Sequence, residues 1–198
     1  MTKKIEVDLQ MAGPLTFQFT ASVPVYPEKA AFFSSKELAQ GKSPLAEKLF
    51  EINNLESIRI FDNTVKVSVT QEFEDWSDAP NQMKSLIEYQ LESGEAAVSH
   101  AYQLSLPSEE EIKKRVQEIL EKEINPAVAE HGGFIDLIDV KKNIVYIRMG
   151  GGCQGCASSL ATLKQGVEQT IREKIPEVGQ VLDVTDHADG KNPYYVSR

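Results

Sequence analysis

Residues 144–175 read IVYIRMGGGCQGCASSLATLKQGVEQTIREKI, and this stretch decides how the second half of the chain folds. Residues 144–149 are rich in β-branched and aromatic side chains, the composition of a strand. They run without a polar turn into Gly150-Gly151-Gly152-Cys153-Gln154-Gly155-Cys156. Beyond the cysteines, Leu160, Leu163, Val167 and Ile171 recur with a period close to that of a helix, which the spacing predicts to end before Pro176. The unit is therefore a strand, a glycine-rich cysteine loop and a helix.

The neighbouring segments complete a domain. Residues 134–140 form a second strand, joined to the first by a short hairpin loop at Lys141-Lys142-Asn143. Upstream, Ser108 and Glu111 make a capping box, and Ile112, Val116, Ile119, Leu120 and Ile124 give the helix that follows one apolar face. Asn125-Pro126 breaks or kinks that helix, and Gly132-Gly133 after His131 ends it. Residues 181–185 supply a last strand. The order is α-β-β-α-β, a two-layer domain with the C-x-x-C loop between strand and helix.

Cys153 and Cys156 are the only cysteines of the 198 residues. Two thiols at this spacing, flanked by glycines that let backbone approach a bound group, point to a soft-metal or redox site. Cys156 falls at the start of the helix, where unpaired N–H groups favour a thiolate. Two thiolates are half of the four-ligand shell that iron–sulfur clusters and structural zinc usually take. A homodimer with its two-fold axis at the loop would complete it. The same motif also admits a dithiol redox centre, or a zinc-bridged interaction module.

The first half reads as a second small α/β unit, so the fold class is α+β with two two-layer domains. Leu15, Phe17 and Phe19 alternate with polar residues as in a half-buried strand. Ser43-Pro44 starts a helix with Leu45, Leu49 and Ile52 on one side. Residues 55–61 and 64–70 form a hairpin around Asp62-Asn63, and Met83, Ile87 and Leu91 mark a helix over 81–92. The predicted division is 1–92, a linker over 93–106, and 107–198. No position in the first half combines a nucleophile, a base and an orienting group.

Composition narrows the class further. The net charge of −9 excludes a basic surface for nucleic acid, and the halves on either side of Pro107 carry −6 and −3. No apolar run reaches the ~20 residues of a membrane span, so a soluble cytoplasmic protein is expected. Trp76 reads as a core or domain-edge filler, with a partner-binding anchor as the sharper alternative. His131 and His187 are left outside the site.

At this point the residues resemble a known family. INPAVAEHGG, VYIRM, GGGCQGCASS and the TLK-x-GVE that follows make residues 107–198 similar to the C-terminal domain of NifU-like (Nfu) iron–sulfur proteins. The tail IPEV…VTDHADGKNPYY continues the likeness to the bacterial type, and SPLAEKLFEI, IRIF…VKVSV and EDW make the first half look like the Nfu N-terminal domain. The resemblance implies a scaffold or carrier for iron–sulfur cluster assembly, not an enzyme. It implies that Cys153 and Cys156 are the metal ligands of a [4Fe–4S] cluster shared by a homodimer, with [2Fe–2S] or zinc as alternative occupants. It further implies an upstream assembly scaffold as donor, apoprotein clients as acceptors, and client or partner recognition by residues 1–92. One departure is Ala157, where Pro is frequent.

Overall fold

The alternation of Phe17 and Phe19 with Thr16, Gln18 and Thr20 sets the middle of a five-stranded antiparallel sheet. The structure is a computed structural model that describes residues 5–71, 78–151 and 157–185, with the backbone alone for 157–162. The chain divides into two units, residues 1–106 and 107–198.

The first unit contains β1 (Val7–Gly13), β2 (Thr16–Ala21), β3 (Tyr26–Phe33), β4 (Leu55–Asp62) and β5 (Thr64–Val69), in the order β1-β2-β5-β4-β3. Phe17, Val67 and Ile58 lie in one cross-strand row, and Phe19, Val65 and Ile60 in the next. All six are buried, because residues paired across strands share a face. Its described helices are α1 (Lys36–Ala39), α2 (Pro44–Leu49), α3 (Asp78–Ser93) and α4 (His100–Ser105). Leu45 and Leu49 from α2 and Met83 and Ile87 from α3 join the core.

The start of α2 is as the sequence predicts. Ser43 Oγ accepts from the Ala46 N–H at 3.1 Å, and Pro44 occupies the first turn, where its missing N–H costs nothing. The same hydroxyl donates to the Ala97 carbonyl at 2.6 Å. Residues 93–106, expected as a linker, are instead built into this unit. Ala97 and Val98 are in its core, and the Ser99 N–H donates to the Lys42 carbonyl. Small apolar side chains between polar neighbours conceal that burial in the sequence.

The second unit has a three-stranded sheet of β6 (Gly133–Lys141), β7 (Ile144–Gly151) and β8 (Gln180–Asp183), in that order. β6 and β7 form a hairpin closed by Lys142 and Asn143, at φ 48° and 64°. Two central residues with positive φ make the turn twist with the strands. β8 runs parallel to β7, which requires a crossover, and α7 (Ala157–Lys174) provides it. α5 (Glu109–Ile119) begins with Ser108 Oγ accepting from the Glu111 N–H at 3.2 Å.

The helix does not stop at Asn125-Pro126. A π-helical turn, Leu120–Ile124, leads into α6 (Asn125–Ala129), and the Asn125 N–H bonds the Leu120 carbonyl five residues back. Pro126 lacks an N–H and would crowd the carbonyl four residues earlier, so widening the turn lets the helix carry it. Gly132, at φ 70°, then ends α6. Ile112, Val116, Ile147, Met149, Val167 and Ile171 are among the residues of a core that belongs to this unit alone.

Candidate functional site

The candidate site lies where β7 ends at Gly151 and α7 begins at Ala157. Both predicted ligands, Cys153 and Cys156, fall in the interval 152–156 together with Gly152 and Gly155. These four lie outside the described residues, as do Trp76 and His187. The described elements that flank the thiols are β7 and α7.

The end of β7 is held closely. Gly150 pairs with Phe134 and Gly151 with Gly133 across the β6–β7 hairpin. A methyl group at Gly150 would overlap the Cζ end of the Phe134 ring. Gly151 takes φ 64°, with its missing Cβ directed at the Gly132 carbonyl, so two of the three consecutive glycines are required by contact. Asp136 and Arg148, also a cross-strand pair, make an exposed ion pair at 2.7 Å. Such a pair contributes at most about 1 kcal/mol.

Two further side chains reach the same end of the sheet. Asn125 Nδ2 donates to the Ile135 carbonyl at 2.9 Å, while the Ile135 N–H donates to Asn125 Oδ1 at 2.8 Å. On the opposite side, the Met149 N–H donates to Thr185 Oγ1 at 2.9 Å. The sequence marks Asn125 only as a helix breaker and Thr185 only as a strand residue. An Asn directly before Pro in a helix was the available signal, since Asn is a poor interior helix residue unless its amide has work elsewhere.

His131 is exposed, and its backbone N–H donates to the Val128 carbonyl at the end of α6. Among the described residues no group of three or more His, Cys, Asp or Glu side chains is placed to hold a metal ion. Nor is any described helix long and apolar enough to cross a membrane.

Comparison with known proteins finds one family match within each unit. Residues 11–94 match the family model described as scaffold protein Nfu/NifU N terminal, and residues 116–182 match the NifU-like domain. The Fe/S biogenesis protein NfuA of Pseudomonas savastanoi pv. phaseolicola is 50% identical over 88 residues, 42% of this chain and 45% of that protein. NfuA of Pseudomonas aeruginosa is 52% identical over 85 residues, covering 42% and 44%. NfuA of Ectopseudomonas mendocina is 48% identical over 85 residues, with the same coverage. The chain thus spans somewhat less than half the length of the curated relatives it matches. With an Nfu-type N-terminal domain followed by a NifU-like domain, the chain belongs to the NifU-like proteins of the Nfu type.

Proposed function

We propose that this protein is a carrier for iron–sulfur cluster assembly and not a catalyst. Its cargo is a [4Fe–4S] cluster bound by Cys153 and Cys156 of two copies of the chain. The observation that carries this reading is that both thiols of the chain fall in the five residues between the end of β7 and the start of α7, within the stretch that matches the NifU-like domain. The relatives' name, Fe/S biogenesis protein, supports the same assignment.

Two thiolates per chain and a four-thiolate cluster require a second copy, so loading and dimerisation are one event. Handing the cluster on is then ligand exchange. An incoming client thiol gives up its proton and bonds iron, while the departing cysteine takes up a proton, one ligand at a time. A site completed by an interface is suited to this, because separating the copies leaves each cluster half-ligated. An upstream scaffold would donate the cluster, and the first unit would recognise partners or clients in the cytoplasm.

The test is anaerobic reconstitution with ferrous iron and sulfide, followed by iron, sulfide and zinc counts and the mass in solution. About two irons and two sulfides per chain in a dimer is the expected result for one Cys₄ [4Fe–4S] cluster. One iron per chain would assign [2Fe–2S]. A zinc dimer would make the protein an interaction module, and a colourless monomer that cycles with thioredoxin would make it a dithiol oxidoreductase.

A further inference from the structure

The last cross-strand pair before the glycines of the cysteine segment is Ile135–Met149. Its backbone groups are completed by side chains on both flanks. Among the described residues β6 is an edge strand, and the Asn125 carboxamide takes the outward N–H and C=O of Ile135. On the other flank lies β8. Its last registered pair is Asp183 with Ile147, followed by the Val184 N–H donating to the Ile147 carbonyl. There the Thr185 hydroxyl takes over the ladder, accepting from the Met149 N–H and lying 3.3 Å from the Met149 carbonyl. Asp183 Oδ1 holds Thr185 in turn, accepting from its N–H at 2.9 Å and from its hydroxyl.

A carboxamide and a hydroxyl thus bond the two outward flanks of one cross-strand pair, one residue before Gly150. Elsewhere in β7 backbone partners do this work, with β6 on one side and β8 on the other. Glycines cannot hold their own conformation, since they lack the Cβ that restricts φ and ψ. Met149 is the last residue with a side chain before Gly150, and its pair with Ile135 is bonded from both flanks.

We propose that Asn125 and Thr185 are positioning residues for the thiols: they anchor the root of the cysteine segment, and through it they set how firmly the cargo is held. This inference rests on the carrier reading above. Each acts through the backbone of the Ile135–Met149 pair. Residues that orient ligands from outside a metal's coordination shell typically change affinity by about 10–100-fold.

The test uses the full-length chain with Thr185→Val, which keeps the shape and removes the hydroxyl, and Thr185→Ser, which restores it. Two quantities are measured. One is the rate at which a chelator strips iron from the reconstituted protein; the other is hydrogen exchange at the Gly150 and Gly151 amides of the metal-free protein. Thr185→Val is expected to lose iron about 10-fold faster, the lower end of such effects. Its glycine amides should exchange faster too, while Thr185→Ser behaves like the parent. Asn125→Asp, which keeps the acceptor for the Ile135 N–H and loses the donor, applies the same test from the other flank if the valine variant does not fold. Parental rates in Thr185→Val, or a serine variant as labile as the valine one, would overturn the proposal. If the parent itself takes up no iron, the carrier reading fails, and the amide exchange of the metal-free variants still decides whether the anchor exists.

Discussion

The Cζ end of the Phe134 ring takes the place that a methyl group on Gly150 would fill, across the hairpin and three residues before Cys153. A half-exposed aromatic set against a strand glycine is a packing solution for a position that carries no side chain of its own. Gly150→Ala should therefore displace the ring or the strand and cost about 1–3 kcal/mol, as overpacking does. Adding Phe134→Ala should return part of that loss, because the methyl group then has room. A double-mutant cycle by chemical denaturation measures the coupling, expected at about 0.5–3 kcal/mol. Strict additivity would mean that the ring is not what excludes a side chain at Gly150.

The parity of the thiols makes a sharp prediction for uptake. Cys153→Ser and Cys156→Ser should each abolish stable cluster binding while leaving the fold intact. Iron counts after reconstitution, alongside far-ultraviolet circular dichroism, check both halves of the statement. A single variant that kept the parental iron content would require a ligand from outside the two thiols.

Residues 107–198 have a core that includes no residue of the first unit. That fragment should fold alone and accept a cluster as readily as the full chain. A cooperative melt followed by reconstitution tests it, and a folded but colourless fragment would assign the first unit a part in loading. Ile171→Ala, at a fully buried position of this core, should cost the fragment about 2–5 kcal/mol.

Acid should weaken the second unit through Asp139. Burial works to raise its pKa, but the Lys141 ammonium at 2.9 Å, the Val140 N–H at 2.9 Å and Lys113 at 3.9 Å outweigh it, so the carboxyl is held below its ordinary 3.8. A depressed pKa in the folded state means stability that is fully present above the unfolded value and lost as pH falls through the folded one. The stability difference between the parent and Asp139→Asn should therefore be constant from neutral pH to about pH 5 and shrink below about pH 4. A difference independent of pH down to pH 2 would remove the ion pairs from the account.

At the alkaline end the first unit carries the counterpart. Tyr26 is 4% exposed, its hydroxyl has no hydrogen-bond partner among the described residues, and burial, with Tyr102 and Glu28 adding to it, pushes its pKa up to about 12. The unfolded chain releases this proton near pH 10 and the folded chain later, so stability falls as pH rises past 10. Tyr26→Phe should flatten that decline. At neutral pH it should be neutral or stabilising by about 1–3 kcal/mol, the cost of an unsatisfied buried polar group. Denaturation midpoints at pH 7 and pH 11 give both answers.

Elements that repeat a clean pattern were legible in the sequence. The β4–β5 and β6–β7 hairpins, the caps at Ser43 and Ser108 and the helix before Pro176 follow from alternation, turn residues and helical spacing. β1 and β3 did not show themselves. β1 buries only Val7, leaving Leu9 and Met11 exposed at a sheet edge, and β3 carries Pro27, Glu28 and Lys29 before its apolar end. An edge strand tolerates such residues because one side of it has no ladder to maintain. At the candidate site, the glycines and the flanking strand and helix were readable because they are local. The roles of Asn125 and Thr185 were not, since each depends on a backbone partner 10 or 36 residues away.

The π-helical turn Leu120–Ile124 has a consequence for the length of the chain. Each residue of an α-helix advances the next by about 100°. The extra residue in the turn lets α5 keep Ile112 and Val116 in the core while Asn125 still faces β6. Removing one codon there would regularise the helix, yet carry Asn125 about a quarter-turn or more out of reach of Ile135. Glu121, Lys122 and Glu123 are all exposed, so their side chains are open to exchange. The gene should accept substitutions through this turn and reject a deletion within it.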